Sequence, residues 1–101
     1  EITMSELLEK EKQKQAIKPP TLHNVLFLND DFTSFEFVVD CLVSIFGKTE
    51  EQATMLAKSI HNSGKAVVGT YTKDIAITKQ SMTMDIAQRL EFPLQVIVEA
   101  A

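Results

Sequence analysis

The sequence predicts a small α+β sandwich, one sheet with helices packed on it, in the order β-α-α-β-α-β. Three observations lead there. Short runs rich in Val, Ile, Leu and aromatic residues lie at Asn24–Leu28, Ala66–Tyr71 and Leu94–Val98, each next to turn or breaker residues. Between them, apolar residues recur at helical spacing behind capping signals. The chain has 101 residues, 45% apolar and 24% charged, which suits one domain and no second core.

Taken in order, NVLFL at Asn24–Leu28 is the first strand, and Asn29-Asp30-Asp31 breaks it because these side chains bond their own backbone. Thr33-x-x-Glu36 is a capping-box pattern. Phe35, Val38, Val39, Leu42 and Phe46 follow as an apolar face, with Gly47 as a left-handed stop. Thr49-x-x-Gln52 starts a second helix carrying Ala53, Leu56, Ala57 and Ile60, which ends near Asn62-Ser63-Gly64. Ala66–Tyr71 is the second strand. Thr72 caps a third helix, on which Ile75, Met82, Ile86 and Leu90 form a stripe. Phe92-Pro93 closes it, and LQVIV at Leu94–Val98 is the third strand.

Two domain-level segments are expected: an N-terminal extension over residues 1–22 and a core over residues 23–101. Ser5–Lys18 is dominated by Glu, Lys and Gln, which points to a mobile or weakly helical tail or tether. Pro19-Pro20 cannot continue a helix. Four acids and four bases cancel in the extension, so the net charge of −4 falls on the core. An acidic core without a basic stripe argues against nucleic acid as a partner. No apolar run approaches the ~18 residues of a membrane span, and no signal-peptide pattern opens the chain.

Much chemistry is excluded by residue type. Three glycines leave no room for a phosphate-binding loop or a dinucleotide fingerprint. One cysteine and two histidines make a zinc site improbable. A calcium loop over Asn29–Asp40 fails, with Ser34 where glycine is needed and Asp40 where the bidentate Glu belongs. Cys41, inside a helix with no partner, reads as a packing residue. No nucleophile, base and charge stabiliser can be assembled, so no enzyme, cofactor or metal is expected. What remains is a binding arrangement. Asn29, Asp30 and Asp31 place acceptor oxygens ahead of an apolar helix, and His61 lies one turn after Ala57 on the same helix face. Such a set suits a ligand with a cationic head and an apolar body.

These residues also carry a resemblance. Lys18-Pro19-Pro20, Val25–Thr33 (VLFLNDDFT), Glu36-Phe37-Val38, His61–Ala66 (HNSGKA), Thr78-Lys79 and Pro93-Leu94 resemble the ClpS family, adaptors that deliver N-degron substrates to a Clp AAA+ unfoldase and its protease. The resemblance implies three antiparallel strands with three helices and a pocket for the first residue of a peptide. It implies that Asn29, Asp30 and His61 hold the α-amino group and that Asp31 and Thr33 shape the pocket mouth. Phe35, Val38, Ala57, Ile60 and Leu94 would line the side-chain cavity, for Leu, Phe, Tyr or Trp. The family often has methionines where Phe35 and Ala57 stand, so an altered preference is expected. Asp74, Thr78 and Lys79 match the face that docks on the N-terminal domain of a ClpA- or ClpC-like unfoldase, with Ile77 replacing a common acidic residue. The resemblance further implies action in the bacterial cytoplasm or a plastid-type organelle, with the extension engaging the unfoldase during hand-over. The alternative is a ribosome-associated or other non-catalytic interaction domain of similar fold.

Overall fold

The computed structural model describes residues 2–7 and 20–101. Residues 4–7 form a helical turn; the remainder of the stretch expected to be a tail or tether lies outside the described residues. The core runs β1 (Leu22–Leu28), α1 (Phe35–Ser44), α2 (Glu50–Ser63), β2 (Lys65–Thr72), α3 (Lys73–Arg89) and β3 (Gln95–Ala100). The strands form one antiparallel sheet in the order β2-β1-β3. The α+β order expected from the sequence is therefore the observed one.

Local chemistry explains each boundary. β1 starts at Leu22, two residues before the predicted strand, because Leu22 and His23 pair with Thr72 and Tyr71 across the sheet. The cap of α1 is Ser34 rather than Thr33: the Ser34 hydroxyl accepts the Phe37 N–H at 3.1 Å. Thr33 is spent elsewhere, in the turn described below. The capping box of α2 is present as read, with Thr49 and Gln52 bonding reciprocally at 3.1 and 3.2 Å. Gly64 ends α2 at φ +88°, a left-handed position that favours glycine. Thr72 is the cap residue of α3, but its hydroxyl donates to the Asp74 carboxylate at 2.8 Å instead of capping the helix backbone.

One face of the sheet carries the core. Val25 and Phe27 of β1, Val68 of β2 and Val96 of β3 pack with Phe37, Leu42, Phe46, Ala53 and Ala76. Phe27 and Phe46 meet edge to face at 5.4 Å between centroids, a favoured aromatic geometry. Between Val25 and Leu26 the β1–β2 register slips by one residue and leaves Val68 as the extra residue of a bulge. A side chain on Gly69 would collide with the Tyr71 ring, which folds back over it. Glycine is required there so that Tyr71 can reach Phe46, at 6.4 Å between centroids.

The third helix buries small side chains. Its buried residues are Ala76, Thr83 and Ala87, whereas Ile75, Met82, Ile86 and Leu90 are 46%, 48%, 38% and 54% exposed. The large apolar stripe is left half-exposed. The sheet surface is already filled by Phe27, Val68 and Val96, so the fully buried side chains of the helix are small ones, with Met84 packed at the edge of the core.

Candidate functional site

The turn after β1 is built by Asp30. Its Oδ1 accepts the N–H groups of Phe32 and Thr33 at 2.8 and 2.6 Å, and the Thr33 hydroxyl donates to its Oδ2 at 2.6 Å. This is the Asx chemistry that makes Asp a turn former. Burial pushes the Asp30 carboxyl up, but the bonds from the Thr33 hydroxyl and from the Thr33 and Phe32 amides outweigh it and hold it below its ordinary value. Asp30 is thus ionised at neutral pH and largely committed to its own loop, with Oδ2 left to accept from a ligand.

The turn is docked on the end of α2. The Asn29 N–H donates to the Gly64 carbonyl at 2.8 Å, possible because Gly64 has left the helix in a left-handed conformation. That contact brings His61, in the last turn of α2, beside the Asn29–Asp31 oxygens. Sequence reading identified Gly64 only as a helix end; its role as an anchor for the turn was missed, and a left-handed glycine facing a strand terminus is the signal that carries it.

A cavity of about 390 Å³ results, lined by Asn29, Asp30, Asp31, Thr33, Phe35, Val38, Ala57, Ile60 and His61. One side is acidic and amide oxygen plus an imidazole. The other side is the buried surface of Val38, Ala57 and Ile60, with Phe35 half-exposed at the rim. The structure brings together nine of the ten pocket residues named from the sequence. The tenth, Leu94, is buried and lines a different groove of about 510 Å³, with Ile77, Gln80, Met84 and Phe92. Leu94 immediately precedes β3, and the chain there faces α3.

The remaining candidates lie apart. Asp74, Thr78 and Lys79 share a shallow depression on α3 with Ile75 and Met82. Lys79 is not a freely solvated lysine. Its Nζ donates to the Ile45 carbonyl at the end of α1, at 2.6 Å, and sits 5.2 and 5.7 Å from the ring centroids of Tyr71 and Phe46. It joins α3 to the end of α1 by a charged hydrogen bond and cation–π contacts. Cys41 is buried, and burial, then the nearby Asp40 charge, raises its thiol to about 11, which suits packing and not nucleophilic chemistry. Among the described residues no cluster of His, Cys, Asp and Glu is arranged to hold a metal, and no helix is long and apolar enough to cross a membrane.

Fold and cavity together define a small α+β binding module, polar on one wall of its pocket and apolar on the other. Residues 18–97 match the family described as ATP-dependent Clp protease adaptor protein ClpS, and the chain belongs to that family. Its relatives include the ATP-dependent Clp protease adapter protein ClpS of Ralstonia pickettii, 45% identical over 90% of this chain and 84% of that protein. The ClpS of Leptothrix cholodnii is 46% identical over 90% of this chain and 79% of its own length. Among solved structures, Agrobacterium tumefaciens ClpS2 bound to L-phenylalaninamide is similar at a TM-score of 0.80 and 35% identity, covering 82% of this chain and all of that one. The chain is accordingly an adaptor of the Clp protease and not itself an enzyme.

Proposed function

We propose that the cavity binds the free α-amino group and bulky hydrophobic first residue of N-degron substrates, Leu, Phe, Tyr or Trp, and that the chain delivers them to a Clp AAA+ unfoldase. The observation that carries this reading is the division of the cavity into an oxygen-and-imidazole wall and an apolar wall, fused at one small site. The ligand of the similar Agrobacterium structure, L-phenylalaninamide, joins an α-amine to a phenyl side chain and supports the same division.

An α-amino group has an unperturbed pKa of ~7.7–8.0 and is a three-donor cation at neutral pH. Asn29, the free capacity of Asp30 Oδ2, and His61 supply acceptors, with Asp31 and Thr33 at the mouth. Hydrogen bonds to a charged group contribute ~1.5–3 kcal/mol each, and burying ~150–200 Å² of an aromatic side chain contributes ~4–5 kcal/mol at ~25 cal/mol/Å². Ordering costs offset much of both, leaving roughly micromolar affinity that requires both halves of the ligand. Phe35 is large and half-exposed and Ala57 small and buried, where the family often has methionines, so an altered preference among Leu, Phe, Tyr and Trp is expected.

Delivery assigns the second surface. Asp74, Thr78 and Lys79 on α3 form the docking face for the N-terminal domain of a ClpA- or ClpC-like unfoldase, in the bacterial cytoplasm. Lys79 contributes there mainly by holding α3 against α1. The test is fluorescence anisotropy with three peptides that begin with free Phe, acetylated Phe or free Ser and are otherwise identical. Binding of the first alone is expected; equal binding of all three, or of none, overturns the reading.

A further inference from the structure

We propose that α3 is also a self-association surface, through which two copies of the chain pair helix against helix, antiparallel about a two-fold axis at Met82. The starting observation is the exposed stripe of Ile75, Met82, Ile86 and Leu90. Spacings of 7, 4 and 4 residues keep these side chains on one face along ~22 Å of helix. Nothing in the chain's own core uses that face, since the buried residues of α3 are Ala76, Thr83 and Ala87.

The charges beside the stripe select a second copy as its occupant. On a helical projection Asp74, Thr78, Asp85 and Arg89 all fall on one flank of the stripe. A two-fold axis perpendicular to the helix brings each flank against itself, so that residue i meets j and j meets i. Centred on Met82, it brings Asp74 within one residue of level with Arg89 of the second copy and Thr78 within one residue of level with Asp85, each twice by symmetry. It also sets Ile75 against Leu90 and Met82 against its own counterpart. Parallel pairing sets each flank against the opposite one, so Asp74 and Arg89 do not meet. Asp74 and Asp85 are exposed, as is Arg89, and the Asp74 carboxyl is held below its ordinary value by the Thr72 hydroxyl and the Ile75 amide, so it is charged at neutral pH.

One helix pair is a small interface, below the ~1,200 Å² of stable complexes, so the dimer is weak, with a dissociation constant of about 100 µM. Self-association stands on α3 alone and does not depend on the peptide pocket. Because Asp74 and Thr78 also belong to the proposed unfoldase-docking face, a chain in the dimer is barred from docking, and only the monomer delivers.

Sedimentation equilibrium of the full chain from about 10 µM to about 1 mM tests the proposal, across the range in which a weak dimer dissociates. The expected result is a weight-average mass rising from monomer toward dimer. Asp74→Arg alone and Arg89→Asp alone each weaken association about tenfold, and the two combined restore it to within about threefold, an interaction that only a coupled pair produces. Met82→Glu abolishes it. Circular dichroism of each variant confirms the fold. A chain that stays monomeric at about 1 mM, or a double variant no better than the single ones, overturns the proposal; a heterologous partner face gives no such rescue.

Discussion

Helices α1 and α3 lie on the same sheet and are used in opposite ways. The first turns its large side chains inward: Phe37, Val38, Cys41 and Leu42 are buried. The second fully buries Ala76, Thr83 and Ala87, packs Met84 at the edge of the core and leaves Ile75, Ile77, Met82, Ile86 and Leu90 half-exposed. The difference teaches that the buried face of a helix is set by the space left under it, not by where its largest apolar residues stand. Over α1 there is room for aromatic and aliphatic bulk against Phe27 and α2. Under α3 the sheet already presents Phe27, Val68 and Val96, and small residues bring the backbone close. The surplus apolar surface of α3 is then free for partners.

The sharpest way to break this comparison is to truncate one large residue on each helix. Leu42 is fully buried, and Leu42→Ala is expected to cost ~2–5 kcal/mol. Ile75→Ala removes a half-exposed side chain and should stay within ~0.5 kcal/mol. Urea unfolding of both variants decides it; equal losses would mean that the exposed stripe of α3 contributes to the core after all. The reverse substitution sharpens the point. Ala76 is fully buried, so Ala76→Leu must push α3 off the sheet and should cost ~1–3 kcal/mol by overpacking. A neutral result would show slack beneath the helix and remove the reason for its orientation.

The same contrast explains what was legible in the sequence. α2 was readable because its signals are local: the Thr49/Gln52 box and Gly64 act within a few residues of themselves. The candidate pocket was readable because its oxygens are consecutive and its apolar residues lie one turn apart on two helices, and nine of the ten residues named surround one cavity. Leu94 lines another groove because its neighbours are decided by how β3 meets α3, a contact between elements. Which face of α3 is buried was not legible for the same reason, since periodicity reports the existence of an apolar stripe and not which way a sheet lets it point. Ser34 displaced Thr33 as the cap of α1 because the Thr33 hydroxyl and amide are bonded to Asp30, a competition between two motifs that share one residue.

Lys79 ties the two helices together and gives a smaller, more specific test. Its ammonium satisfies the Ile45 carbonyl and rests against Phe46 and Tyr71. Lys79→Met keeps the stem and removes the charge, and is expected to cost about 1 kcal/mol, since the site is only half-buried and water can replace part of the bond. Lys79→Arg should recover part of that loss through the same ring contacts. Thermal denaturation ranks the three chains. If Lys79→Met is neutral, α1 and α3 are held by the core alone.

The smallest effect separates two carboxylates, one in each region. Asp30 and Asp74 are both held below their ordinary values. In Asp30, burial opposes the shift and the bonds from Thr33 and Phe32 win; in Asp74 the Thr72 hydroxyl leads. A depressed folded-state pKa means the ionised form is favoured by folding, so the stabilisation is present above the unfolded value of ~3.9 and disappears as pH falls through the lower folded value. Both groups therefore make the chain less stable in acid, below about pH 4. Asp74 is fully exposed, and solvent screens its contribution, whereas the Asp30 bonds are partly buried and close the turn that docks on Gly64. Asp30→Asn should flatten the fall in melting temperature between about pH 5 and pH 3, and Asp74→Asn should leave it nearly as steep. A larger flattening from Asp74→Asn would reverse the assignment and make the start of α3, not the turn, the acid-sensitive part of the fold.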